Sequence, residues 1–228
     1  MHLSKSLTCL SLLAILLSPL AVKALEFPPA SDRGAPSRTA GGGTRGEDCI
    51  AEDAKPLTAL MPTNNVGTTA KANPTFFFYV PKTTATQAEF AIVDREGADI
   101  YVSEFPIDGT PGVIALKVPE TINLGEGNDR IWHFGLICNP DNRALDKFVQ
   151  GFLYRETIEE PLRAKLERSP ALEKAELYAK ARIWHETLEI AAELRDSHPE
   201  QWQQLLSSVG LESIASEPLI SCCEMNEF

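Results

Sequence analysis

The chain of 228 residues predicts an α+β fold, an antiparallel immunoglobulin-like β-sandwich followed by a small α-helical region. Three observations predict it. Seven short apolar runs separated by turn residues fill 55–155, at the spacing of sandwich strands. Beyond Arg155 the apolar period changes from two to about three and a half, which is helical. The run Arg130 to Cys138, RIWHFGLIC, alternates as a central strand does: Trp132, Phe134, Leu136 and Cys138 take one face, Ile131, His133, Gly135 and Ile137 the other.

Ahead of the sandwich, residues 1–24 read as a cleaved signal peptide. Lys5 supplies a positive start, and Leu7 to Leu17 is an apolar run too short to cross roughly 30 Å of hydrocarbon. Pro19 and Ala21-Val22-Lys23-Ala24 place small residues at a cleavage point near Ala24. No later stretch could span a membrane, so the expected location is the periplasm or the exterior. The formal net charge of −11 falls to −13 when Lys5 and Lys23 leave with the leader. A surface this acidic with no Lys/Arg cluster argues against nucleic acid as a partner.

Four cysteines remain, and in an exported chain an even number reads as disulfides. Cys49 with Cys138 is the favoured pairing, because a vicinal Cys222–Cys223 bridge would strain its peptide and a long-range bridge need not. Cys222 and Cys223 lie in a tail, 216–228, where a redox pair, a soft-metal site, an intermolecular link and two idle thiols all stay open. Residues 25–54 form a Gly/Pro-rich strap with Pro28, Pro29, Pro36 and the run Gly41-Gly42-Gly43-Thr44-Arg45-Gly46. With almost nothing apolar to bury, it is expected to be irregular until Cys49 anchors it. Its glycines are followed by Glu47-Asp48-Cys49, not by the Lys-Ser/Thr and helix of a phosphate loop, so nucleotide binding is excluded.

In the sandwich, 55–155, the expected strands are Leu57 to Met61, Thr75 to Val80, Glu89 to Asp94, Ile100 to Phe105, Val113 to Val118, Ile131 to Cys138 and Lys147 to Tyr154. Thr75 to Val80, TFFFYV, does not alternate. Either the strap or the helices cover its second face, or Phe77 and Tyr79 make an exposed aromatic strip. With Tyr101 and His133 these two are the candidate interaction surface. Gly125 to Asp129 lacks the ligand order of a calcium loop and reads as a plain turn.

The helical region, 156–215, opens with Thr157 and Glu160 in capping-box spacing, followed by Ile158, Leu162 and Leu166. Ser169-Pro170 starts a second helix through Lys180, a third runs from Ile183 to Asp196, and Pro199 opens a fourth that stops before Gly210. Ala175, Tyr178, Trp184, Ala191 and Pro199 resemble the spaced positions of one tetratricopeptide unit, from which Lys174, Thr187 and Leu194 depart. A lone unit cannot bury its own face, so it is expected to lean on its neighbours.

Taken together, the glycine run before Cys49, Leu57-Thr58-Ala59-Leu60-Met61-Pro62, Pro74-Thr75-Phe76-Phe77-Phe78-Tyr79-Val80-Pro81, Gly109-Thr110-Pro111-Gly112, Leu136-Ile137-Cys138-Asn139-Pro140 and Ser208-Val209-Gly210-Leu211 carry a resemblance. The mature chain is similar to a family of exported cyanobacterial proteins known only as a domain of unknown function. The resemblance implies a secreted or periplasmic protein and brings no catalytic residues.

Sequence chemistry adds little to that. His133, His185 and His198 are scattered and belong to no metal-ligand or triad spacing. Glu159, Glu160, Glu186, Glu189 and Glu193 are read as solvated helix faces paired with Arg163, Lys180 or Arg182. No catalytic residue, cofactor or metal is expected. The function read from the sequence is a non-catalytic binding or protein-interaction module of the cell envelope, its partner an envelope protein or a glycan. A periplasmic hydrolase acting on glycan or peptide is one alternative, and a redox-responsive element using Cys222 and Cys223 is the other.

Overall fold

The computed structural model describes residues 24–29, 49–127 and 129–222. Residues 1–23, most of the strap and Cys223 therefore fall outside the described residues. The core is aromatic, and strands supply it. β1 (Thr58–Ala59), β3 (Thr75–Val80) and β6 (Gly112–Lys117) form one sheet in the order β1-β3-β6. β2 (Val66–Thr69), β4 (Gln87–Val93), β5 (Asp99–Pro106), β7 (Arg130–Leu136) and β8 (Lys147–Arg155) form a second, ordered β2-β8-β7-β4-β5. β7 lies at the centre of the larger sheet, as its alternation predicts. Trp132, Phe134 and Leu136 are fully buried, and His133 takes the outer face.

The sheets meet through rings. Phe78 of β3 stacks on Phe134 at 4.3 Å, and Phe76 approaches Phe90 at 5.0 Å and Trp132 at 5.9 Å. This accounts for one face of TFFFYV. The other face is covered too: Phe77 and Tyr79 are buried, with Glu217 and Lys55 beside the tyrosine. All six residues of β3 are buried, so the strand has no need to alternate.

The α+β class stands, but one feature departs from an all-antiparallel, immunoglobulin-like order. β2 pairs with β8 in parallel, Val66 opposite Phe152 and Thr69 opposite Arg155. The sequence VGTT has no apolar alternation to announce a strand. It is held by backbone pairing on one side and by the helices on the other, which is why pattern alone does not find it.

Four helices follow, as expected: α1 (Glu160–Arg168), α2 (Ala171–Lys180), α3 (Trp184–Glu193) and α4 (Pro199–Ser208). Their starts differ in detail. No capping box forms at α1, whose cap is Glu159; Thr157 instead donates from its hydroxyl to Glu126 Oε2 at 2.9 Å. α2 begins one residue after Pro170 without a side-chain cap from Ser169. α3 is the central helix, burying Trp184, His185, Glu186, Thr187, Leu188 and Ala191. It packs on β2 and β3, and the indole of Trp184 donates to Leu60 O at 2.9 Å. α4 ends where Gly210 takes a φ of 77°, a left-handed conformation that closes the helix at little cost.

The strap is anchored at both ends, not at Cys49 alone. Leu25 and Phe27 are part of the core. At the far end, Cys49 is bonded to Cys138, with a Cα separation of 5.3 Å. The Cys49 carbonyl accepts from the Thr84 amide at 2.9 Å and the Thr83 hydroxyl at 2.8 Å, which fixes the residue in the loop before β4. The C-terminal segment also docks as an edge. The Val113 amide donates to Pro218 O at 2.7 Å and the Ile220 amide to Val113 O at 2.9 Å, against the free side of β6. A Cβ at Gly112 would stand 2.8 Å from Ile220, so the close approach requires glycine there.

Candidate binding cleft

Where β8 runs out at Arg155, the chain crosses to α1 past the edge strand β2 and the turn between α2 and α3. That turn is tight. Arg182 adopts φ 61°, a left-handed conformation unusual for a residue with a side chain, and Thr68 donates from its hydroxyl to the Arg182 carbonyl. Between these pieces lies a cleft of about 340 Å³, with Phe27, Val66, Ile158, Leu162 and Ile183 among its walls and Asn64, Glu159 and Arg182 as polar contacts. A second cavity of about 500 Å³ adjoins it, bordered by Arg163, Glu167, Lys174 and Tyr178. Glu156, Thr157 and Ile158 are common to both. Volumes and a largely apolar first chamber suit a ligand site.

Several of the charged walls are already committed to structure. Arg155 donates to Leu124 O at 2.7 Å, and Arg163 to Ile158 O at 3.0 Å, which braces the segment between the two chambers. Ala70 and Tyr178 belong to the lining of the second cavity. Next to both stands Glu186, almost wholly buried. Its Oε1 accepts from the Thr69 hydroxyl at 2.7 Å and from the amides of Ala70 at 2.9 Å and Lys71 at 3.0 Å. Burial pushes this carboxyl above its ordinary range, against the pull of those donors. Burial and then the neighbouring Glu186 raise Tyr178 as well.

His185 faces the sheets. Its Nδ1 lies 2.9 Å from Thr75 O, and since a carbonyl only accepts, the proton sits on Nδ1 and Nε2 is bare. Burial lowers its pKa to about 4, so the ring is neutral at ordinary pH. Glu189 joins the same cluster, accepting from the Thr75 hydroxyl at 2.8 Å and pairing with Lys71. Reading Glu186 as a solvated helix face is therefore wrong: the β2–β3 loop turns its amides onto the carboxylate. Sequence spacing holds no signal of that, because the donors come from residues 69–71, more than a hundred positions away.

The residues singled out from the sequence separate. Phe77, Tyr79 and Tyr101 are all buried and form no surface. Only His133 remains accessible, half-buried on the outer face of the larger sheet, in a smaller cavity with Ile131, Gln150 and Phe152. Burial lowers its pKa, and Glu89 acts in the opposite direction. Cys49 and Cys138 are joined as above. Cys222 is disulfide-bonded, and Cys223 lies outside the described residues. Among the described residues, no group of three or more His, Cys, Asp or Glu is arranged to hold a metal ion. No helix there is long and apolar enough to cross a membrane.

Fold and cleft together define an α+β protein in which a helical layer, closed onto a two-sheet core, presents a two-chambered cleft. The chain belongs to the family described as Domain of Unknown Function (DUF928), whose family model matches residues 40–219. No curated protein matches the chain significantly. The matched span includes both cysteines of the 49–138 bridge and all of the helical layer, but not Leu25 or Phe27.

Proposed function

We propose that the protein is a non-catalytic binding module exported to the cell envelope, and that the cleft takes an extended peptide segment of an envelope partner. One observation carries the choice of site: two adjoining chambers share Glu156, Thr157 and Ile158, so a ligand that fills both must be longer than one side chain. The first would hold an apolar side chain against Val66, Ile158 and Leu162; the second offers Lys174 and Tyr178 to polar groups. Export is supported by the leader-like residues 1–24 and by the Cys49–Cys138 bridge, which needs an oxidising compartment to persist.

A photo-crosslinking side chain placed at Leu162 and, separately, at Lys174 tests this in intact envelopes, with Glu96 as the control position. The expected result is one partner captured from both cleft positions, not from the control, and lost when Ile158→Trp fills the cleft. Capture of the same partner from Glu96, or capture that survives Ile158→Trp, refutes the site.

A further inference from the structure

The docked start of the strap behaves as a bound peptide. Leu25 is 1% exposed and Phe27 7%, with the exposed Glu26 between them, so alternate side chains of an extended run enter the protein. Side chains hold its backbone. The Leu25 amide donates to Gln201 Oε1 at 2.9 Å, the Phe27 amide to Ser208 Oγ at 3.0 Å, and Arg182 Nη1 donates to Pro29 O at 2.6 Å. The Phe27 ring meets Trp184 edge-on at 4.9 Å. Recognition of an extended peptide has the same two parts, hydrogen bonds to its main chain and pockets for alternate side chains.

One further fact points the same way. Gln201 is wholly buried, and among the described residues its Nε2 has no partner, so its one shown bond is the one to Leu25. Burying an amide side chain for a single bond is costly, which makes the Leu25 contact its purpose.

We propose that the groove formed by α3, α4 and the α2–α3 turn is a receiving site for the mature N-terminal segment of this chain, read as Leu-x-Phe-Pro-Pro through Gln201, Ser208 and Arg182. Only its starting point rests on the export reading above. Because Phe27 is also a wall of the cleft, docking completes that site.

A specific protease site inserted between Pro36 and Arg45 allows the purified, folded mature chain to be nicked. The fragment that starts at Leu25 is expected to stay with the body through gel filtration. A peptide of the Leu25–Pro29 sequence, labelled at its C-terminal end, exchanges for it, and one carrying Leu25→Ala and Phe27→Ala competes about a hundredfold more weakly or worse. Release of the fragment on nicking with an unchanged Tm overturns the proposal, and so does equal competition by the alanine peptide. Leu25 and Phe27 are varied only in the peptide and the un-nicked chain with the inserted site serves as the reference, so a folding defect cannot imitate either outcome. No cleft ligand enters the assay, so its failure is separable from a failure of the binding-module reading.

Discussion

Gly67 shows what a single position has to satisfy in this core. A Cβ there would lie 2.4 Å from His185 Nε2 and 2.5 Å from Met61 Cε, inside contact distance for both. Met61 can bend away; the imidazole, fixed by Thr75 O, cannot. Gly67→Ala is expected to destabilise the protein by about 2 kcal/mol, read as a lowered urea midpoint at constant slope. Titration gives a second prediction at the same scale. His185 has a folded pKa of about 4 against 6.5 when unfolded, so between those values the unfolded chain binds a proton that the folded chain refuses. Stability contributed by the neutral ring is lost as pH falls through that window, by about 3 kcal/mol in all. Glu186 works in the opposite sense. Its folded pKa is raised, so stability declines as pH rises from 4.5 through the folded value. Glu186→Gln should therefore steepen the acid-side loss, and His185→Gln should reverse its slope, both measured as urea midpoints from pH 4 to 8.

Elements in this chain earn their positions through partners distant in sequence. The Cys49–Cys138 bridge closes 89 residues, and by the chain-entropy estimate Cys49→Ser should cost about 4 kcal/mol. Thermal melting of Cys49→Ser beside the wild-type chain, both without reductant, checks it; an unchanged Tm would mean that the loop is held by other contacts. Helices α1 and α3 are opposites. α1 buries only Leu166, whereas α3 is enclosed through its first turn and a half. Amide exchange should accordingly be fastest in α1 and slowest in α3 and β7. The strand β2 had no legible pattern, and the reason is physical: Thr68 and Thr69 serve hydrogen bonds to Arg182 and Glu186, so polar residues stand where an alternating strand would place apolar ones.

Taken whole, the molecule is one cooperative assembly of sheets and helices. The buried cluster runs without interruption from Leu25 through Trp132 to Trp202 and Ala215. Each helix is nine or ten residues long, shorter than an isolated helix needs in water, and α3 packs on β2 and β3 rather than on helices alone. A fragment of residues 156–222 is therefore expected to show little helical circular dichroism, while the full chain melts in a single transition.

By itself the sequence determined the class, the central strand, the four helices and the bridge. The first three rest on a local period or a Pro or Gly at an element's end, written in residues close together in the chain; the bridge, which spans 89 residues, rests on the scarcity of cysteines. The tertiary structure alone decided the rest: that Phe77, Tyr79 and Tyr101 are interior, that Glu186 and His185 are buried, that β2 pairs in parallel, and that Leu25 and Phe27 return to the helices. Those outcomes depend on which surfaces of different elements meet on folding, and no local pattern encodes that meeting. The cleft belongs with them, because its walls come from the strap, β2, the start of α1 and the α2–α3 turn, segments that only folding brings together.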